Sequence, residues 1–367
     1  MKRAGQPDKT VTPGHPAGGT YMPLLDLVRI VAFCLVVLHH LISIEAKYDP
    51  APILPRALTF GISGVDVFFV LSGYMMGRLF LRPDLPRRVS PLRFLIARAS
   101  RVYPLYWLIS LALLGVYLVA PDMVFSSRSD TPDLLRSFLL WPAAHAPLHA
   151  VGWTLVHLVY FYLVTAAVLA LPRRAALPAI GAWVLASAAM YLWLPRIGNP
   201  ELALLSSPFT FEYAAGAALG LLPALPRRQA RWLGALALAA LIAIAVAQAL
   251  AGQDIRSLDR LSRVLILAPP AAALIYALGS WTAPAPTGAM SGYAPLARAG
   301  YALYLSHILT LSVLGRLWAP VAQPGIWDNL IVLPLMLIVS IAVAVALERL
   351  VETPIARLVR QCTRSLA

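Results

Sequence analysis

Among the polar residues that interrupt the first strongly apolar block of the chain, Arg29 and His40 stand eleven positions apart. At 100° per residue that spacing returns to within about 20° of the same direction. Both side chains therefore share one helix face, roughly 16 Å apart along the axis. An imidazole is the side chain best placed to take a proton near neutral pH, and a guanidinium is well shaped to hold phosphate. A charged group inside a membrane helix costs at least ~2.5 kcal/mol on insertion scales, so each one asks for a reason. Two readings stand side by side. Either Arg29 reaches to headgroups and His40 bonds a neighbouring backbone carbonyl, or the pair joins a phosphate-binding end to a proton acceptor.

Further polar residues fall inside apolar blocks. Asp66, in GISGVDVFFVLSGYMMGR, lies at a depth similar to His40 if successive blocks cross a membrane in alternating directions. An Asp–His pair would hold the imidazole in one tautomer and raise its basicity; a plain polar contact between helices is the other reading. Gly61, Gly64, Gly73 and Gly77 in the same region are expected to let helices pack closely rather than to cradle phosphate. Arg98 and Arg101, in RFLIARASRVYPLYW, are spaced i, i+3 and project together. Paired guanidiniums suit a phosphate-bearing ligand, but arginines there also serve membrane topology. Glu212 in FTFEYAAGAALG and His307 in GYALYLSHIL either line a polar cavity or satisfy a helix contact; His157 is read as structural. No Walker loop, HExxH or paired CxxC is present, and no metal site is assigned.

The elements that must position these residues are membrane helices. Of the 367 residues, 60% are hydrophobic and 13% charged, more apolar surface than a water-soluble domain of this size can hide. The apolar residues come in blocks of about 20, the length that crosses ~30 Å of hydrocarbon. Spans are expected over 24–43, 58–79, 102–120, 152–171, 176–194, 203–223, 231–251, 263–281, 299–318 and 329–350. The all-α class and a count of ten follow. Segment 132–149, with Trp141, Pro142, His145 and His149, reads as an outer loop or re-entrant piece. Residues 1–20 read as a disordered cytoplasmic N-terminus, 21–352 as one membrane domain and 353–367 as a cytoplasmic tail. The first block is too long and too interrupted for a cleaved signal peptide.

The formal charge of +14 raises the question of nucleic acid, but the arginines sit in short loops rather than in one stripe, so none is expected as a partner. About two-thirds of the Lys and Arg residues fall on one side of the spans, which places both termini in the cytoplasm. Cys34 and Cys362 should lie at different depths, so no disulfide is expected.

Taken in order along the chain, these segments resemble membrane acyltransferase family 3, bacterial enzymes that acylate surface polysaccharides and related acceptors. LDLVRIVAFCLVVLHH is similar to the family's Arg-x10-His first helix through Arg29 and His40. GVDVFFVLSGYMMGR resembles its second-helix signature through Asp66, Phe68, Phe69, Ser72 and Gly73, and RASRVYPLYW resembles its Arg-x-x-Arg stretch. FEYAAG, GYALYLSH and VETP resemble later landmarks through Glu212, Gly216, Tyr301, Tyr304, His307, Glu352 and Pro354. In the fourth helix Trp153, Thr154, Leu155, Phe161 and Tyr162 fit, but Leu158 stands where the family commonly has an acidic residue.

The resemblance implies a multi-pass enzyme of the bacterial inner membrane that takes acyl-coenzyme A, acetyl most simply, as donor. It would acylate a hydroxyl of a carbohydrate or glycolipid. It implies His40 and Asp66 as catalytic, Arg29, Arg98 and Arg101 as holding the donor's phosphates, and Trp153, Glu212 and His307 at the acceptor. Two other classes remain. Intramembrane His, Asp, Glu and Arg also mark transporters or flippases, although no inverted repeat is evident. A family member without catalysis is the third, motivated by Leu158.

Overall fold

The computed structural model describes residues 22–85, 89–124, 131–194, 198–281, 294–323 and 326–364. The N-terminal segment read as disordered lies outside the described residues. Among the described residues every regular element is helical. Without water to satisfy exposed N–H and C=O groups, a chain this apolar closes its backbone bonds within each segment.

The long helices are α1 (Pro23–Tyr48), α2 (Gly64–Met76), α3 (Pro91–Val119), α6 (Gly152–Ala170) and α7 (Ala176–Trp193). They continue with α10 (Arg227–Leu250), α11 (Arg260–Gly279), α12 (Ala294–Trp318) and α13 (Ile326–Leu347). Shorter pieces are α4 (Pro121–Val124), α5 (Leu134–Leu139), α8 (Pro200–Leu205), α9 (Phe209–Leu221) and α14 (Thr353–Arg364). A 3-10 segment (Arg56–Ser63) and a π segment (Gly77–Leu81) extend α2 at its two ends, and a second π segment (Glu348–Glu352) joins α13 to α14.

Among the described residues eight helical runs are long and apolar enough to cross a membrane. Two of the ten expected spans fall outside them. The stretch 203–223 is broken at Ser206, Ser207 and Pro208 into α8 and the 13-residue α9. At 1.5 Å per residue α9 is about 20 Å long, too short to cross alone. Helix α12 has the length, but Arg298, Ser306, His307 and Arg316 leave it more polar than the eight. The third expected span starts earlier than 102, at Pro91, so Arg98 and Arg101 stand on the body of a helix rather than at its mouth. The described part of the C-terminal tail is the helix α14 rather than loose chain.

Helix α2 is the centre of the bundle. It packs on α1, α9 and α11, while α12 packs on α1 and α13. The contacts are of backbone on backbone. A Cβ on Gly64 would land on the carbonyl oxygen of Ala32, and one on Gly73 or Gly216 would land on that of Tyr213 or Val70. The glycines of α2 therefore act as the sequence implied, by letting helices approach. Helix α10 is the opposite case: 11% of its apolar window is buried against 56% for the run Arg56–Leu81, so it faces outward.

Candidate active site

Arg29 and His40 do share a face of α1, and each meets a different set of partners. At the Arg29 end, Nη1 bonds Asp26 Oδ1 one turn back at 2.9 Å. Arg101 of α3 lies within electrostatic reach of both Arg29 and Arg98. The Arg98 guanidinium is sunk among aromatic rings, 5.5 Å from Phe80, 5.7 Å from Phe94 and 6.0 Å from Tyr162. Such faces attract a cation through the ring quadrupole. Its Nε is buried without a hydrogen-bond partner among the described residues. The Tyr301 hydroxyl donates to the Val102 carbonyl at 2.7 Å and fixes α12 to α3 beside Arg101. Glu352, at the end of the second π segment, lies near enough to Arg101 to feel its charge, and one of its oxygens is buried unpartnered. Three guanidiniums from two helices thus converge where Asp26 and Glu352 offer incomplete neutralisation, an arrangement suited to an anionic ligand.

About two-thirds of the way along α1 the His40 ring sits 5.1 Å from the His307 ring of α12 and 5.1 Å from His39. Neighbouring His39 is fixed, Nδ1–H donating to the Thr59 carbonyl at 2.9 Å. His307 is fully buried; its Nδ1–H donates to the Leu303 carbonyl at 3.1 Å, and its Nε2 has no partner among the described residues. That bond leaves the Nε2 lone pair as an open acceptor. The half-buried His40 ring is bonded to no protein group among the described residues. Between Arg29 and His40 the α1 face carries Phe33, packed 5.4 Å from Phe68 and 5.6 Å from Tyr304.

Asp66 is not the partner of His40. Both of its oxygens are held by Arg263 at the start of α11, one through Nε at 3.0 Å and the other through a guanidinium NH2. Asp66 is completely buried and Arg263 nearly so. A fork-shaped guanidinium satisfies two carboxylate oxygens at once, which a single imidazole nitrogen does not. Glu212 of α9 lies in charge range of both, with its own two oxygens buried and unpartnered among the described residues. The Asp66–Arg263 pair ties α2 to α11, and removing one partner of such a buried pair is far costlier than replacing both.

A cavity of about 660 Å³ opens between α6, α8 and the start of α11. Trp141, Trp153, His157, Asn199, Arg256 and Arg260 are among its walls, and Arg256 lies within charge range of His40. The segment 132–149 forms one wall through α5 and the loop after it. His157 bonds the Trp153 carbonyl at 2.8 Å and Ser207 Oγ at 3.1 Å, while Leu158 is buried in the core.

The structure therefore gathers Arg29 with Arg98 and Arg101, and His40 with His307. It puts Trp153 on the cavity, and sends Asp66 and Glu212 to Arg263. Sequence reasoning missed Arg263, Arg256 and Arg260, which had been counted as loop arginines. Their signal was their crowding at the start of one span.

A family model described as an acyltransferase domain matches residues 23–349. The chain is 35% identical over 139 residues to the exopolysaccharide production protein ExoZ of Rhizobium meliloti (strain 1021), covering 35% of this chain and 40% of that protein. It is 33% identical over 96 residues to protein 2 in picA locus of Rhizobium radiobacter, covering 26% of this chain and 45% of that protein. The matched stretches thus span less than half the length of either relative. No solved structure matches the chain.

Proposed function

The chain belongs to this acyltransferase family, and we propose that it transfers an acyl group from acyl-coenzyme A to a hydroxyl of a carbohydrate or glycolipid at the bacterial inner membrane. Acetyl is the simplest donor group. The charge asymmetry of the loops supports an orientation with both termini cytoplasmic, in which the Arg29, Arg98 and Arg101 end faces the side where acyl-coenzyme A is made. The observation that carries the reading is the position of His40: unbonded, beside His307, on the helix face that leads to the arginine cluster, and within charge range of Arg256 in the cavity wall.

In this reading the three arginines hold the donor's phosphates. The thin acyl-pantetheine arm runs along the α1 face toward His40, a distance of roughly 16 Å. The acceptor enters through the cavity, and Trp153 offers an aromatic face to it. His40 takes the proton of the acceptor hydroxyl as its oxygen attacks the thioester carbonyl carbon. The C–S bond then breaks, and the departing thiolate takes the proton from the His40 imidazolium. His307, whose open Nε2 lies beside His40, accepts from a second hydroxyl of the acceptor and so orients the sugar ring. Asp66 and Glu212 support the site through Arg263 rather than by touching reactants. The similarity to a protein named for exopolysaccharide production supports a polysaccharide acceptor.

The test is incorporation of label from [¹⁴C]acetyl-coenzyme A, added at the cytoplasmic face of inside-out vesicles, into carbohydrate. Incorporation that depends on this protein is expected. Label that never exceeds that of vesicles lacking it, with acetyl or longer acyl donors, would contradict the reading.

A further inference from the structure

The cavity between α6, α8 and the start of α11 has an unusual charge. Arg256, Arg260 and Arg263 all line it, and among its described lining residues there is no carboxylate. On the proposed orientation these arginines lie on the outer side, where lysine and arginine are ordinarily sparse in short loops. Topology therefore does not account for them.

Their partners differ. Arg263 is held by the buried Asp66. Arg256 is forked onto Asp254, with Nε bonds of 3.1 and 3.0 Å and a further bond from a guanidinium NH2 at 2.6 Å. Arg260 has no ion pair or hydrogen bond among the described residues, and its charge reaches His157 on the opposite wall. The adjacent carboxylate, Asp259, is engaged in capping α11, accepting the N–H groups of Leu261 and Ser262 at 3.0 and 3.1 Å. An exposed guanidinium of this kind, flanked by a second one and set in the mouth of a cavity, concentrates anions there. The remaining walls suit sugar rings: Trp141 and Trp153 offer flat apolar faces, and Asn199 adds a polar amide. At about 660 Å³ the space falls in the range of small-ligand sites, roughly 300–1,000 Å³.

We propose that this cavity is the acceptor site and that it selects an anionic glycan, a carbohydrate bearing a carboxylate or a phosphate, with Arg260 as the cation that meets that charge. The proposal rests on the acyl-transfer reading for what happens to the bound glycan, but not for the binding itself. Carboxylate and phosphate present the same chemistry to a guanidinium, two oxygens in a plane that its fork matches.

The experiment measures binding, not turnover. The full chain is placed in phosphatidylcholine vesicles, which supply no net-anionic headgroup to compete. Tryptophan emission is then titrated with three probes of equal length: cellotetraose, its glucuronate-bearing counterpart, and cellotetraose 1-phosphate. Two of the nine tryptophans, Trp141 and Trp153, stand in the cavity wall, and the part of the quenching lost in a Trp141→Phe, Trp153→Phe protein is the report of that site. At least one anionic probe should bind about tenfold more tightly than the neutral one, the scale of one charge-assisted contact. Which of them does so separates a carboxylate from a phosphate acceptor. Arg260→Gln should bring the anionic probes to the neutral probe's value, while Arg260→Lys should keep most of the preference. Equal binding of all three probes by the unaltered protein overturns the proposal, as does a preference that survives Arg260→Gln. If the preference is found but label transfer is not, the pocket stands and the acyl-transfer reading falls.

Discussion

A cluster of three arginines stands toward each end of this bundle, and the two clusters are held in opposite ways. At one end Arg98 lies among aromatic rings and Arg29 leans on a single i, i+3 carboxylate, so the cluster keeps much of its positive charge uncompensated. At the other end Arg263 and Arg256 are each forked onto an aspartate, and Arg260 alone remains available. The difference separates two jobs for one residue type. A guanidinium whose fork is filled by a carboxylate is a structural tie, and one facing rings or solvent retains its capacity for a ligand's oxygens.

That contrast can be broken most forcefully at Asp66. Asp66→Asn leaves Arg263 buried without its counter-charge, an imbalance of about 3–5 kcal/mol. A markedly lower unfolding midpoint in detergent is expected. Replacing both partners, Asp66→Leu with Arg263→Met, should lie closer to the unaltered protein than Asp66→Leu alone. An Asp66→Asn protein as stable as the original would mean that the pair is not a structural tie.

At the ligand-holding end the expected effect is on binding rather than on stability. Arg98→Gln with Arg101→Gln should raise the apparent KM for acyl-coenzyme A by about tenfold or more, with a smaller change in kcat. An unchanged KM would reduce these arginines to membrane topology. The smallest effect sharpens the same point. Arg227 and Arg228 are exposed at the start of α10 on the same proposed side of the membrane. Changing both to Gln should leave the donor KM within about twofold, since their contribution is surface charge screened by salt.

Much of this organisation was legible in the chain. Spans of apolar residues, the shared face of Arg29 and His40, and the role of the α2 glycines follow from helix geometry and the length of a membrane crossing. The charge pairing was not. Depth along a helix placed Asp66 level with His40, but which neighbour fills its oxygens depends on how α2 and α11 are rotated against each other, and Arg263 lies 197 residues away in the sequence. The break at Ser206–Pro208 was hidden for a related reason. The apolar content of 203–223 continues across it, and only the short α9, buried against α2, shows that this stretch serves the interior rather than lipid. The meeting of His40 with His307 likewise needed the packing of α1 on α12.

The central claim is that His40 moves the proton in acyl transfer. The most direct measurement is the rate at which label passes from [¹⁴C]acetyl-coenzyme A to carbohydrate in vesicles carrying His40→Ala, at matched protein level and with an unchanged gel-filtration profile. Loss of a general base should lower that rate by about 10²–10⁴-fold. A rate within about twofold of the unaltered protein would contradict the assignment of His40.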